Sequence, residues 1–128
     1  MRLRAALTTV VLTALLPVGS AVPAVAAPDQ GVLLTVSGSA NTWIRGVVLH
    51  CPPGPDDRHP DALGACAALD AADGDFDALA GDPHPCTHED DPITVTAEGA
   101  RQGDAVGWRH TYPNACLMDA VTGPVFRF

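Results

Sequence analysis

The fold of this chain is decided first by residues 32–50, which read VLLTVSGSANTWIRGVVLH. Residues 32–36 and residues 43–50 are rich in β-branched and other apolar side chains, a composition that favours strands. Residues 37–41, which lie between them, are small or polar, as is typical of a turn. The sequence therefore predicts an antiparallel hairpin whose loop is longer than two residues.

A second hairpin is predicted nearer the carboxyl terminus. Residues 93–97 (ITVTA) alternate between apolar and polar side chains, as a half-buried strand does. Residues 98–103 have the composition of a turn, and residues 105–112 read as the strand that pairs with the first. Residues 125–128 (VFRF) alternate in the same way, so we expect them to close the sheet as an edge or final strand.

One helix is predicted, over residues 61–72. Pro60 and Asp61 suit its first turn, where a missing backbone N–H is tolerated and a negative charge is favoured. Leu63 and Cys66 follow helical spacing, which places the side chain of Cys66 on the buried face together with that of Leu63. Together these elements predict a small α+β domain in which a helix packs on an antiparallel sheet.

The amino terminus has the pattern of a secretory signal peptide. A cationic start over residues 1–4 precedes an apolar run over residues 5–16, and small residues follow at positions 24–26. An apolar run of about a dozen residues is too short to cross a bilayer, so we prefer a signal peptide to a membrane anchor. The sequence thus predicts a signal peptide over residues 1–26 and one mature domain over residues 27–128, secreted to the extracellular space and not membrane-bound.

The charge of the chain is strongly negative. Seven arginines, no lysine and 15 acidic residues give a formal net charge of −8. Removal of Arg2 and Arg4 with the leader would bring this charge to −10. A protein of this sign repels phosphate backbones, so we expect no nucleic acid among its partners.

Groups that enzymes use for covalent catalysis are scarce in the sequence. The predicted mature chain has two serines, Ser37 and Ser39, and both fall in the predicted turn. The sequence has no G-x-S-x-G motif, no glycine-rich phosphate loop and no lysine that could form a Schiff base. The aspartates around Gly74 do not have the spacing of a calcium loop. We therefore expect a protein that is not an enzyme and that needs no cofactor.

Four cysteines make disulfides the expected sulfur chemistry of an exported protein: Cys51, Cys66, Cys86 and Cys116. Four cysteines allow three pairings, and the sequence pattern does not choose among them. A competing interpretation is a metal site built from His84, Cys86 and His88. Their spacing matches no zinc-finger pattern and an oxidising compartment favours bridges, so we expect no metal.

Residues 81–92 (GDPHPCTHEDDP) stand out because they are exposed in composition and yet restrained. The restraints are three prolines and a cysteine: Pro83, Pro85, Pro92 and Cys86. A loop already held in an extended form loses little conformational entropy on binding, which suits a cleft for extended peptides, such as a protease active site. In an extended chain the side chains of Thr87 and Glu89 project to the same side, so we predict a hydrogen bond between them. The alternative is an ordinary surface loop.

Six motifs occur together in this chain, in an order that is known from one family. They are Cys51-Pro-Pro53, His59-Pro60, Ala65-Cys-Ala-Ala-Leu69, Cys86-Thr-His-Glu-Asp-Asp-Pro92, Asn114-Ala-Cys116 and Val125-Phe-Arg-Phe128. In this combination, and with four cysteines at the matching spacing, the chain resembles the subtilisin inhibitor-like family of actinomycete secreted proteins. The resemblance covers essentially the whole of the predicted mature chain.

The resemblance implies a more detailed fold than the pattern does. It implies a five-stranded antiparallel sheet with two short helices packed on it. It implies the disulfides Cys51–Cys66 and Cys86–Cys116. It also implies a homodimer that forms through the face of the sheet.

The resemblance further implies an activity. Family members inhibit serine endopeptidases by docking a loop as a substrate would, and the bond in that loop is cut slowly and resealed. Carried over to this sequence, the reactive bond is His88–Glu89. The other loop residues that would contact the protease are Pro85, Cys86, Thr87, Asp90 and Asp91. Asn114 would support the loop by hydrogen bonds, and Cys116 would tether it.

Two positions depart from the family pattern. Asp57 stands where the family has glycine, and we expect the turn to be kept because aspartate tolerates left-handed backbone better than most residues. His88 stands at the position that enters the protease's primary pocket, where trypsin-directed members have Lys or Arg and subtilisin-directed members often have Met. Because histidine is neither a permanent cation nor a plain hydrophobe, we expect subtilisin-like proteases to accept it better than trypsin-like ones.

His88 leads to one more prediction and to one alternative. Histidine gains charge as the pH falls from 8 to 5.5, so binding to an apolar pocket should weaken over that range. The alternative function is a secreted binding protein on the same scaffold that does not inhibit. The acidic run over residues 89–91, directly after His88, keeps this alternative open.

Overall fold

The computed structural model describes residues 19–22 and 31–128. The predicted signal peptide, residues 1–26, therefore lies outside the described residues except for its short stretch 19–22. Within the described ranges, no helix has the length and apolar character needed to cross a membrane.

Four antiparallel strands form one sheet in the order β2-β1-β3-β4. Their bounds are Val32–Ser37 for β1, Ile44–Leu49 for β2, Ile93–Arg101 for β3 and Asp104–Tyr112 for β4. Both predicted hairpins are confirmed, and β1 and β3 pair in the centre of the sheet. The second hairpin is longer than expected because its strands run up to a turn at positions 102 and 103. Both turn residues have positive φ, as the tight hairpin turn requires.

Two α-helices pack on one face of the sheet: α1 is Ala62–Ala71 and α2 is Ala115–Thr122. The helix predicted over residues 61–72 is confirmed as α1, and the carboxylate of Asp61 caps it by accepting a 3.0 Å hydrogen bond from the backbone of Gly64. Cys66 is buried as predicted, but the burial predicted for Leu63 is wrong, since that side chain is 76% exposed. The pattern of the sequence did not predict α2, whose eight residues are too few to display a helical period. The resemblance accounts for it, since it implies two short helices.

The fifth strand is a wrong prediction, since residues 125–128 do not join the sheet. They belong in part to a 3₁₀-helix, Gly123–Phe126, with Pro124 in its first turn. Proline suits the start of a helix because it lacks the N–H that a strand would need. Val125 and Phe126 are both buried, at 0% and 2% exposure, whereas a strand would have turned one of them outward. The sheet of the described residues thus has four strands.

The core lies between the inner face of the sheet and a layer made by α1 and the 3₁₀-helix. The sheet contributes Leu34 and Val95, α1 contributes Leu69, and Phe126 stands between them. The opposite face of the sheet has no covering element among the described residues. It exposes apolar side chains on the two strands at its β2 edge: Leu33, Ile44 and Val48.

The connection from β2 to α1 explains why aspartate can replace glycine at position 57. The carboxylate of Asp57 accepts hydrogen bonds from the backbone N–H of His50 at 3.0 Å and of Gly54 at 2.6 Å. A further contact of 2.9 Å joins it to Nδ1 of His50. Burial raises the pKa of Asp57, but these hydrogen bonds outweigh it and hold the pKa below the ordinary value. The turn is therefore kept by side-chain bonds, without the left-handed backbone that the sequence suggested.

Candidate functional site

Residues 81–92 run antiparallel along α2 and have no regular secondary structure of their own. At the start, the backbone N–H of Asp82 donates to the carbonyl of Ala120 at 2.9 Å, and at the end that of Asp91 donates to the carbonyl of Pro113 at 3.0 Å. Gly81 permits the close approach at the start, because a Cβ there would lie 2.3 Å from the Ala120 oxygen. We call this segment the loop.

The disulfide Cys86–Cys116 ties the middle of the loop to the first turn of α2. Its Cα atoms are 5.7 Å apart, and the bridge closes a segment with a sequence separation of 30. The second bridge, Cys51–Cys66, joins the end of β2 to α1. All four cysteines are therefore paired as the resemblance implies, and all four are accounted for.

The pairing of Cys86 with Cys116 bears directly on the competing interpretation, a metal site built from His84, Cys86 and His88. Nδ1 of His84 lies 3.7 Å from the sulfur of Cys86 and 3.7 Å from that of Cys116, so the structure does bring three potential ligands together. The two sulfurs are bonded to each other, however, and neither is the thiolate that a metal requires. His88, the third ligand proposed from the sequence, is not part of this group.

Asn114 links α2 to the centre of the loop. It is 3% exposed and is the amino-terminal cap of α2, where its Oδ1 accepts a 2.9 Å hydrogen bond from the backbone N–H of Leu117. Its Nδ2 donates to two loop carbonyls, that of Thr87 at 3.2 Å and that of Glu89 at 3.0 Å. Asparagine is suited to this place because its amide has two donors as well as an acceptor. The hydrogen bonds that the resemblance implies for Asn114 are thus present.

The backbone between these two carbonyls carries His88 and the bond that follows it. The hydrogen bond predicted between Thr87 and Glu89 is present, with the hydroxyl donating to Oε1 at 2.7 Å. His88 lies between them and is exposed. Pro85, Asp90 and Asp91 are exposed as well. The peptide bond His88–Glu89 is thus exposed, while hydrogen bonds hold the backbone on both sides of it.

A group of charged side chains, absent from the predicted site, holds the start of the loop. Nε2 of His84 lies 2.7 Å from Oδ2 of Asp119 on α2. Arg127 donates to the same carboxylate through Nε at 2.5 Å and Nη2 at 3.1 Å. Arg127 Nη2 also reaches Oδ2 of Asp82 at 3.0 Å. We call these four residues the charged clamp.

The clamp shifts the pKa values of His84 and Asp119. The hydrogen bond to Asp119, with a smaller contribution from the carbonyl of Pro85, raises the pKa of His84 above the ordinary histidine value. Hydrogen bonds from Arg127 and then from His84 hold the pKa of Asp119 below the ordinary value, against the opposing effect of partial burial. The sequence carried a signal for this contact. His84 precedes one half-cystine by two residues, and Asp119 follows the other by about one helical turn.

The comparisons with known proteins agree with each other. The family described as subtilisin inhibitor-like matches residues 28–114. Subtilisin inhibitor-like protein 5 of Streptomyces fradiae is 42% identical over 106 residues, which cover 80% of this chain and 99% of that protein. Protease inhibitor SIL-V2 of Streptomyces orinoci is 44% identical over 106 residues, which cover 80% of this chain and 97% of that protein.

A solved structure is similar as well. It is that of sermetstatin from Streptomyces caespitosus in complex with Bacillus licheniformis subtilisin. The TM-score is 0.61 at 32% sequence identity, and the match covers 77% of this chain and 98% of the other.

Proposed function

The chain belongs to the subtilisin inhibitor-like family, and from this premise we propose that it inhibits serine proteases by presenting the bond His88–Glu89 as a substrate would. The observation that carries the proposal is the amide of Asn114, which binds the carbonyl before His88 and the carbonyl of Glu89. An ordinary surface loop needs no buried side chain that holds both sides of one exposed peptide bond.

Inhibition follows from how the loop is held. A loop fixed before binding gives up little entropy when it enters an extended-peptide cleft, and rigid loops are a large part of why protease–inhibitor complexes of ordinary size are so tight. Tight binding lowers turnover when it stabilises the bound, uncut loop more than the transition state, because the barrier from the complex then rises. If the bond is cut, the two new ends stay on Asn114, so resealing competes with release.

We place a subtilisin-like serine endopeptidase as the partner, ahead of a trypsin-like one. The imidazole of His88 is not the permanent cation that a trypsin-like pocket selects. The similar structure of sermetstatin, which is described in complex with a subtilisin, supports this choice. The protein acts in this proposal as a binding module, with no catalytic group and no cofactor of its own.

A second copy of the chain is the proposed partner of the uncovered sheet face. Leu33, Ile44 and Val48 expose 42%, 66% and 43% of their surface on that face. The test is the mass in solution of the mature protein, by light scattering, for wild type and for the double variant Ile44→Arg/Val48→Arg. A dimer that the double variant dissociates supports the proposal, while Leu63→Arg on the exposed side of α1 is the matched control. A wild-type monomer would refute it.

We also propose that the protein is exported and that residues 1–26 are its signal peptide. The two disulfides support this, because such bridges persist in oxidising compartments. Mass spectrometry of the protein recovered from culture medium tests the cleavage site, with a mature start at residue 27 as the expected result.

The inhibitor proposal is tested by titrating subtilisin and trypsin, separately, with the oxidised mature protein at pH 8. We expect stoichiometric loss of subtilisin activity, and mass spectrometry should locate any slow nick after His88. Rapid cleavage without inhibition would make the loop an ordinary substrate. No effect on either protease would favour the non-inhibitory binding protein on the same scaffold.

A further inference from the structure

The charged clamp joins three parts of the chain that are distant in sequence. His84 and Asp82 come from the start of the loop, Asp119 from the last turns of α2, and Arg127 from the carboxyl-terminal segment after the 3₁₀-helix. Asp119 stands in the middle and accepts from His84 through Oδ2 and from Arg127 through both oxygens. The clamp therefore fixes the loop to two other segments at one place.

The position of the clamp relative to the disulfide gives it a mechanical effect. A strand attached at a single residue can still pivot about that attachment, whereas a strand attached at two nearby residues has a fixed direction. The disulfide attaches the loop at Cys86, and the clamp attaches it two residues earlier at His84. The two attachments therefore fix the direction in which the backbone continues from the disulfide to Thr87 and His88.

We propose that His84 is a positioning residue of the reactive loop, which keeps the segment before His88 aligned for resealing by holding it on Asp119 of α2. The proposal rests on the proposed inhibitory function, since it concerns the same bond. His84 acts here through the backbone that it orients and makes no contact with the protease in this account. Asp119 supplies the acceptor, and Arg127 holds Asp119 in place.

The clamp should depend on pH in a defined direction. The groups that face His84 are Asp119 from α2, Asp82 from the loop itself and, through Asp119, Arg127. Two carboxylates against one guanidinium favour a charged imidazole. Because the pKa of His84 is raised, its ion pair with Asp119 holds the loop fully at pH values below the ordinary histidine pKa. This stabilisation is reduced as the pH rises through the raised pKa.

The experiment measures the ratio of nicked to intact inhibitor at equilibrium, in the presence of a catalytic amount of subtilisin, between pH 5.5 and pH 9. This ratio does not depend on the pH profile of the protease, which only sets the rate. The variants are His84→Gln, which cannot gain a charge, and Asp119→Asn. His110→Gln is the matched control, because His110 is an exposed histidine on β4 outside the loop.

For His84→Gln we expect the ratio of nicked to intact protein to exceed that of wild type by about two- to five-fold at pH 6, the effect typical of an exposed ion pair. The excess should shrink as the pH rises to 9, where wild type also loses the charge. His88 is present in both proteins, so any effect of its side chain cancels in the comparison. A constant excess at all pH values, or an effect no larger than that of His110→Gln, would overturn the proposal.

A second measurement needs no protease and therefore separates this inference from the proposed function. The titration of His84 followed by NMR should move to lower pH in Asp119→Asn, and the amides of Cys86 and Thr87 should exchange faster in His84→Gln than in wild type. If both changes occur in a protein that inhibits nothing, the positioning role stands and the inhibitor proposal fails. If neither occurs in a protein that inhibits subtilisin, the positioning role fails alone.

Discussion

The two halves of the loop on either side of His88–Glu89 are held by different kinds of contact. The half before the bond is attached covalently through Cys86, by the backbone of Asp82 and by the charged clamp. The half after the bond is attached through hydrogen bonds at the carbonyl of Glu89 and the N–H of Asp91. A cut would thus leave the new carboxylate on a covalently fixed strand and the new amine on a strand held by weak bonds.

This difference shows where resealing is most easily lost. The disulfide sets the position of the carboxylate end, whereas the amine end depends on contacts worth about 1 kcal/mol each. Two side chains of the described residues reach across the bond: Asn114, which binds the carbonyls of both halves, and Thr87, whose hydroxyl binds Glu89.

The largest effect is expected from the double variant Cys86→Ser/Cys116→Ser. Loss of a bridge that closes a segment of this length should lower the free energy of unfolding by about 3–4 kcal/mol and release the half before the bond. We expect the variant to be cut by subtilisin as an ordinary substrate. Urea unfolding and the rate of cleavage measure the two consequences.

The matched control for this variant is Cys51→Ser/Cys66→Ser. Its bridge lies away from the loop, so the free energy of unfolding should also fall while the cut protein is still resealed. Equal rates of cleavage in the two double variants would show that the position of the bridge does not matter and would contradict the comparison of the two halves.

Asn114→Ala should have the next largest effect, because it removes one contact from each half and the cap of α2 as well. Two hydrogen bonds of about 1 kcal/mol each correspond to roughly a 30-fold weaker inhibition constant. The variant Asn114→Ser separates the two roles, because serine is a good helix cap but is too short to reach the loop carbonyls. We expect both variants to inhibit poorly and Asn114→Ser to unfold close to wild type. Tight inhibition by Asn114→Ser would refute the role of the loop bonds.

Thr87→Val tests the weaker contact between the halves. The change keeps the shape of the side chain and removes the hydroxyl that donates to Glu89. We expect the proportion of nicked protein at equilibrium to rise about two- to ten-fold, as for the loss of one hydrogen bond, with little change in unfolding. Glu89→Gln keeps an acceptor oxygen and should change the proportion less. The opposite order of the two variants would argue against the bond.

The smallest effect is expected from Asp119→Asn, measured as the thermal midpoint of unfolding between pH 3 and pH 9. Because the pKa of Asp119 is lowered, its carboxylate stabilises the fold at pH values above the ordinary aspartate pKa. This stabilisation is lost as the pH falls through the lowered pKa. We expect a midpoint a few degrees at most below wild type near neutral pH, as for exposed ion pairs, with the two curves meeting at acid pH. Asp104→Asn, at the far end of the β3–β4 hairpin, is the control and should follow wild type throughout.

Much of the sheet could be predicted from the sequence because its signals are local. Alternating side chains and turn composition predicted both hairpins, and Asp61 marked the start of α1. The strand predicted at residues 125–128 was wrong because alternation over four residues is weak information, and Pro124 together with the burial of both Val125 and Phe126 outweighed it. α2 could not be predicted from its period, because a cap and a disulfide fix it more than an apolar stripe does.

The contacts of the candidate site also separate into those with a local signal in the sequence and those without one. The contact between Thr87 and Glu89 joins residues two positions apart in the sequence, and the geometry of an extended chain predicted it. The bonds of Asn114 were expected through the resemblance, since nothing local links position 114 to positions 87 and 89. The charged clamp was missed because it depends on three segments meeting, and His84 had been considered for a metal site. The resemblance does imply the pairing Cys86–Cys116, but the contact of His84 with Asp119 follows from that pairing only when the position of α2 is known.

Several anchors of the loop act on its backbone and not on its side chains. Asn114 binds carbonyl oxygens, and Ala120 and Pro113 accept from backbone N–H groups, so these contacts make no demand on which side chains the loop carries. A substitution at position 88 should therefore leave these contacts in place. If His88 enters the protease's primary pocket as proposed, one substitution there would offer a new side chain to a new protease while the loop stays rigid, so that rigidity and specificity could change independently.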